Sequence, residues 1–126
     1  MSVLIAPAKA ELAFVIDGGG SVITAGVKGH LPVPFGCTID RVTLTADQPG
    51  SIQVDIWKSS YAGFPPADAN SITGGHEPKI TADSKSEDTT LTGWSKSLDD
   101  GDILAFNVDS AVTITRVTVN LHVRKR

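Results

Sequence analysis

The sequence predicts an all-β protein, an antiparallel β-sandwich with jelly-roll-like connections, and three observations carry that expectation. Residues 51–58 (SIQVDIWK) alternate strictly: Ile52, Val54 and Ile56 fall on one face and Gln53, Asp55 and Trp57 on the other, the period of a sheet buried on one side. Segments of this kind recur, separated by Gly, Pro and Asp clusters that read as turns. Aromatic residues make up only 6% of the chain, so the core must be built from Val, Ile and Leu, and the β-branched members of that set favour pleated surfaces. With 126 residues the chain is long enough for one domain with a real core.

Taken in order, residues 1–10 (MSVLIAPAKA) are small and apolar, contain Pro7 and show no clean period. They are expected to form an N-terminal arm that docks on a neighbour through Val3, Leu4 and Ile5, leaving residues 11–126 as the single sandwich domain. ELAFVID reads as a strand, Gly18, Gly19 and Gly20 as a turn, and SVITAGVKG as its extended continuation in a hairpin-like opening. Pro32 and Pro34 each remove a ladder donor, which confines LPVPF to an edge or a connection. Residues 37–46 alternate with Val42 and Leu44 inward; ADQPG is expected to turn the chain so that residues 51–58 run back beside them. A long polar stretch follows, residues 59–88, with three prolines, a Gly-Gly pair and scattered apolar positions such as Ile72 and Ile80. Loops this long in a compact domain usually serve a function or pack on themselves.

DTTLTGW resumes extended structure, and Asp100-Gly101 suits a tight hairpin. Leu104, Phe106 and Val108 form the inward face of the next strand, turned at residues 109–111. In the last segment Ile114 lies on one parity and Val117, Val119, Leu121 and Val123 on the other, a change of phase that a β-bulge near Thr115-Arg116 would reconcile.

The chemistry-bearing residues do not converge on a reaction. A net charge of −3 opposes broad attraction to nucleic-acid phosphates or anionic lipid, so neither is expected as a partner. The basic triplet Arg124, Lys125 and Arg126 reads as a solubilising tail. Cys37 is the only cysteine and lacks a neighbouring base, which points to a buried, inert thiol. Asp17-Gly18-Gly19-Gly20-Ser21 lacks the Lys and helix of a phosphate cradle. His30, His76 and His122 are scattered without metal-ligand spacing. Asp99, Asp100 and Asp102 crowd one turn, where calcium is conceivable, but the register of a calcium loop is missing and turns recruit Asp anyway. No carboxylate pair or nucleophile elbow stands out, so no catalytic residue, metal or cofactor is expected. The apolar start is too short for a secretory leader and is broken by Pro7; folding in the cytosol where the chain is made is the expectation. Trp57, Tyr61 and Phe64 are the candidate surface-binding aromatics, since such rings bury much area at little entropic cost. Trp94 joins them as an exposed aromatic on the same argument; the competing expectation is that Trp94 and Phe64 both complete the core beneath the long loop.

Several segments, DGGGSVITAGVKG, VPFGCTIDRVTLTADQPGSIQVDIWK, the loop from Tyr61 to Pro66, DTTLTGW, GDILAFNVDS and ITRVTVNLHV, together resemble a β-sandwich module of tailed-bacteriophage virion proteins, of the tail-fibre or capsid-decoration type. The resemblance spans about residues 12–123, and its most specific parts are DIWK with the following Tyr and Pro-Pro, and GD-hydrophobic-FNVDS. It implies a structural or adhesion unit without catalytic residues, made in the host cytoplasm and resident in the virion. The implied partners are other virion proteins and further copies of the chain, a homotrimer in the first instance. A second reading makes it a carbohydrate or host-surface glycan module with Trp57, Tyr61 and Phe64 as a stacking platform; a third, hydrolysis of surface polysaccharide, would need two carboxylates facing one cleft.

Overall fold

The computed structural model describes residues 8–126; residues 1–7 of the expected arm, Val3, Leu4 and Ile5 among them, lie outside the described residues. The protein is all-β, with strands β1 (Lys9–Asp17), β2 (Gly26–Pro32), β3 (Cys37–Ser59), β4 (Lys79–Asp88), β5 (Ser97–Leu98), β6 (Ile103–Val112) and β7 (Arg116–Lys125), and a short 3-10 turn at Asp68–Asn70. All pairings are antiparallel. They join the seven strands into one curled sheet of order β1-β7-β3-β6-β2, with β4 and β5 also bonded to β3. The jelly-roll refinement of the class is not confirmed by this order. Lys9 and Ala10, read from the sequence as arm, are the first two residues of β1 and pair with Arg124 and Val123.

One strand organises the rest. β3 runs for 23 residues, which fully extended would be about 75 Å, whereas a compact chain of this size is roughly 35 Å across. The strand therefore bends. Its first half, Cys37 to Ala46, pairs with β7, and its second half, Ser51 to Ser59, pairs with β6. The expected turn at ADQPG is thus a corner inside one strand, and residues 51–58 continue residues 37–46 instead of returning beside them. Pro49 is tolerated because neither register carries a ladder pair at residues 47–49, so its missing N–H leaves no ladder gap.

Neighbouring strands turn the same corner. β6 and β7 lie end to end along β3, broken at residues 113–115, where Thr113 adopts φ 72°. This break, rather than a bulge inside one strand, produces the change of phase seen in the sequence. β1 and β2 likewise lie end to end, beside β7 and β6, so the hairpin expected around residues 18–20 does not form. Gly18 instead donates to Thr115 O at 2.7 Å and Ile23 to Ile114 O at 3.0 Å, carrying the chain round the corner. Residues 109–111, expected as a turn, stay within β6, and the register shift between Gln53 and Val54 leaves Asp109 as the extra residue of a bulge.

The two halves close face to face. Pro32 pairs with Ile103 at one end of this ribbon and Cys37 with Lys125 at the other, yet five residue steps, at most about 18 Å of chain, join them. The interior between the halves is aliphatic: Ile39, Val42, Leu44, Ile52, Val54, Ile56, Leu104, Val108, Val117, Val119, Leu121 and Val123 are all 2% exposed or less. Phe106 is fully buried and stacks on Phe14 of β1 with 4.5 Å between centroids. Gly29 admits that ring, since a Cβ there would stand 2.5 Å from the Phe14 Cζ.

The corner is held by Asp47. Its carboxylate accepts from the backbone N–H groups of Thr115 (3.3 Å) and Arg116 (3.1 Å) and from the Thr115 hydroxyl, while Gln48 Nε2 donates to Thr113 O at 2.8 Å. The Thr115 hydroxyl first, then the two backbone donors, hold the Asp47 carboxyl below its ordinary pKa. A carboxylate whose folded-state pKa is depressed contributes stability above its unfolded pKa and loses it as pH falls through the folded value. The stability gap between wild type and Asp47→Asn, read from urea midpoints, is therefore expected to be present at neutral pH and to close below about pH 4. Gly50→Ala is expected to cost about 2 kcal/mol, because its Cβ would lie 2.5 Å from Val112 O and 2.8 Å from Ile114 Cγ1. Thr113→Gly relieves a β-branched residue in the left-handed region and is expected to raise stability by about 0.5–1 kcal/mol in the same assay.

Candidate functional site

Beyond Ser59 the chain leaves β3 and folds back over the outer face of its second half. Register places Trp57, Ala105 and His30 side by side on that face. Ala105 is fully buried and Ile103, on the same parity, is 8% exposed. That burial on the outer surface marks where the loop lies. The last third of the expected loop is in fact β4, an edge strand whose polar sequence KITADSKSED hides it from a reading based on hydrophobic alternation.

A single carboxylate pins the loop. Asp55 is 5% exposed, and its Oδ1 accepts from the Ile56 N–H (2.8 Å), the Ser71 hydroxyl (2.7 Å) and the Thr73 hydroxyl (2.9 Å). Its Oδ2 accepts from Trp57 Nε1 at 2.9 Å. Each hydroxyl has one hydrogen, so both are spent on Asp55, and Ser71 Oγ in turn receives the Thr73 N–H at 3.3 Å. The backbone reinforces the anchor: Ile72 donates to Ile56 O at 2.9 Å and Ser95 donates to Ile72 O at 2.8 Å, while Ser71 forms a bridge with Trp57. Ile72 itself is buried in the core. A buried carboxylate is tolerable when hydrogen bonds replace its lost hydration, and here four donors do so.

The three candidate aromatics divide between base and tip. Trp57 is half-buried and tied to Asp55, which places it in the support of the loop. Tyr61 is 81% exposed and Phe64 47% exposed, and both sit in a turn closed by Phe64 N–H to Tyr61 O (3.3 Å) and Gly63 N–H to Ser60 Oγ (3.1 Å). Phe64 meets His30 edge-on, with 4.8 Å between centroids, which couples the tip to β2. Of the two rings expected in the core beneath the loop, Trp94 is buried, with Nε1 donating to His76 O at 3.0 Å, whereas Phe64 is not, since it sits on the outward turn. The Asp55 anchor was missed in the sequence because Asp on the outward parity of a strand reads as solvent-exposed. Its signal was the cluster of donors Trp57, Ser71 and Thr73.

Elsewhere several polar groups are engaged with one another. A cleft of about 410 Å³ is lined by Gln53, His76, Glu77, Lys79, Glu87 and Asp88. Asp88 accepts the N–H groups of Thr90 and Leu91, capping the turn where DTTLTGW was expected to be extended, and Glu87 pairs with Arg41 at 2.8 Å. In the acidic turn Asp102 Oδ2 accepts the Asp99 N–H at 2.8 Å and Asp99 pairs with Arg126 at 3.1 Å. The hairpin expected there is replaced by a turn between β5, which pairs with β3, and β6. Among the described residues no three His, Cys, Asp or Glu side chains converge as metal ligands would.

The basic triplet is not a loose tail. Arg124 pairs with Asp40 at 2.9 Å, Lys125 lies 4.6 Å over the Phe35 ring, and Arg126 donates to Ser97 Oγ and to Leu98 O. Cys37 is fully buried, and burial pushes its thiol pKa up, with Arg126 opposing and Asp102 adding to the shift. His122 faces outward between buried Leu121 and Val123, with Nδ1 2.9 Å from Glu11 and Nε2 3.2 Å from Thr43 Oγ1.

Asp55→Ala leaves several buried donors unsatisfied and is expected to cost about 3 kcal/mol and to make residues 60–73 protease-sensitive. Asp55→Asn can keep an oxygen toward the three Oδ1 donors but turns an NH2 group toward Trp57 Nε1. It is expected to cost about 1 kcal/mol and to shift Trp57 fluorescence, both checked by urea titration.

Searched against known proteins, the chain matches no family model and no curated protein sequence.

Proposed function

We propose that this chain is a structural protein of a tailed-phage particle, a capsid decoration or small tail accessory protein that acts by protein–protein contact as a homo-oligomer. The observation that carries the reading is the pinned loop. Tyr61 and Phe64 stand exposed on a turn whose base is fastened to β3 by Asp55, Ser71 and Thr73. Exposed aromatics on a pre-ordered support lose little entropy on binding and serve as interface anchors. The resemblance over residues 12–123 supports the same class. Repetition over many symmetric copies turns a small contact per copy into firm attachment through avidity.

A glycan-binding role draws on the same exposed pair, since a ring 81% accessible can stack on a sugar. Trp57 offers less of its ring to such a platform, being half-buried in the support of the loop.

Tyr61→Ala with Phe64→Ala is expected to lower particle occupancy at least tenfold with the urea midpoint unchanged, anchors of this type being worth about 2 kcal/mol or more. Occupancy is measured by quantifying the protein on purified particles, and its position by reconstruction of the particle. Unchanged occupancy, or absence from the particle, would sink the reading. Binding to a glycan array that both substitutions abolish would put the second role in its place. Removing residues 1–7, and not Lys9 or Ala10, which β7 needs, tests the arm: its docking role requires occupancy to fall while the domain stays folded.

A further inference from the structure

We propose that β1 is the docking edge for a second copy of this chain, the two β1 strands pairing antiparallel about a two-fold axis centred on Ala13. The backbone bonds at both ends of β1 fix which groups are free. Lys125 donates to Ala8 O at 2.8 Å and Gly18 donates to Thr115 O at 2.7 Å. Bonded pairs alternate along an antiparallel ladder, so the even residues of β1 bond to β7. The odd residues Lys9, Glu11, Ala13, Val15 and Asp17 aim their N–H and C=O groups away from it. Among the described residues those groups have no partner.

The other edges of the sheet are irregular and β1 is not. β4 carries Lys79, Asp83, Lys85 and Glu87 and is broken by two register shifts. β2 is short, bulged between Val27 and Gly29, and ends in Pro32. β1 pairs through nine consecutive residues without a shift, and its odd side chains are all exposed, with Val15 at 56%. A long, regular edge with an apolar centre is a template for another strand.

The charge pattern names the occupant. Antiparallel pairing about Ala13 sets Lys9 opposite Asp17 of the second copy and Asp17 opposite its Lys9, with Glu11 opposite Val15 and Ala13 opposite itself. All five pairs are of the odd, hydrogen-bonding kind. Sliding the partner by two residues in one direction opposes Glu11 to Asp17; sliding it in the other leaves Lys9 facing Val15. Directly opposed charges of unlike sign stabilise a strand pair and like charges oppose it, so one register is selected. On the inner face it brings Leu12 of one copy opposite Phe14 of the other, extending the cover over a ring that is only half-buried in the single chain. The contact is isologous, a two-fold partner where the resemblance implied a trimer. With one strand per side it belongs among weak, concentration-dependent interfaces.

Sedimentation equilibrium of the full chain across a wide concentration range is expected to show monomer and dimer. Lys9→Asp and Asp17→Lys should each weaken the dimer about tenfold, and the double exchange should restore it. Ala13→Cys should cross-link to a dimer on mild oxidation, because bonded antiparallel pairs place Cα atoms about 5.5 Å apart, within disulfide reach. Val15→Cys should not, since it faces Glu11. Monomer at every concentration, a trimer, or a dimer indifferent to both charge reversals would overturn the proposal. So would an Ala13→Cys dimer that fails to cross-link, a test independent of whether the charge variants fold.

Discussion

The fold depends on making one 23-residue strand fit a domain about half its extended length. β3 is hydrogen-bonded to β4, β5, β6 and β7, and its bend is met at the same level by the register shift of β4 and by the break between β6 and β7. At the corner the ladder cannot supply partners, and local devices replace it: Asp47 and Gln48 reach across to residues 113–116, and Gly50 makes room for Val112 and Ile114. Folding the ribbon in half is what creates an interior between its inner faces. The same closure brings the ends of the ribbon together, where Arg126 clips the segment around Ser97 and Leu98.

The outer face of the second half is organised by a different chemistry. There the cover is a loop of low hydrophobicity, which burial alone would hold poorly. A desolvated carboxylate with four donors supplies directional bonds instead, and the loop follows β3 as closely as a strand would near Ser71. Rigidity at the base and exposure at the tip are therefore two outcomes of one arrangement.

Much of this was legible in the sequence. The alternation of Ile52, Val54 and Ile56, and of Leu104, Phe106 and Val108, places those residues inside without ambiguity, because period-2 burial is a local property. Connectivity was not legible. ADQPG has the composition of a turn, and only the pairing of its flanks with different partners makes it a bend within a strand. β4 was invisible because an exposed edge strand has little hydrophobic period to show. Arg126 and Asp55 were read as solvated, since a charge's partners lie far away in the chain: Ser97 for the first, Ser71 and Thr73 for the second. Tyr61 and Phe64 stand out in the sequence because proline and aromatic residues side by side in a polar stretch are unusual whatever surrounds them, and both are exposed in the fold.

The division of labour within the loop has an evolutionary consequence. The side chain of Tyr61 carries little structural duty and that of Phe64 a single contact with His30, while Asp55, Ser71, Ile72 and Thr73 carry most of the load. Variation can therefore accumulate at the tip without eroding the scaffold, and under the proposed role recognition would drift from one target to another on an unchanged frame. The same property would make the tip a place to graft foreign sequences for display.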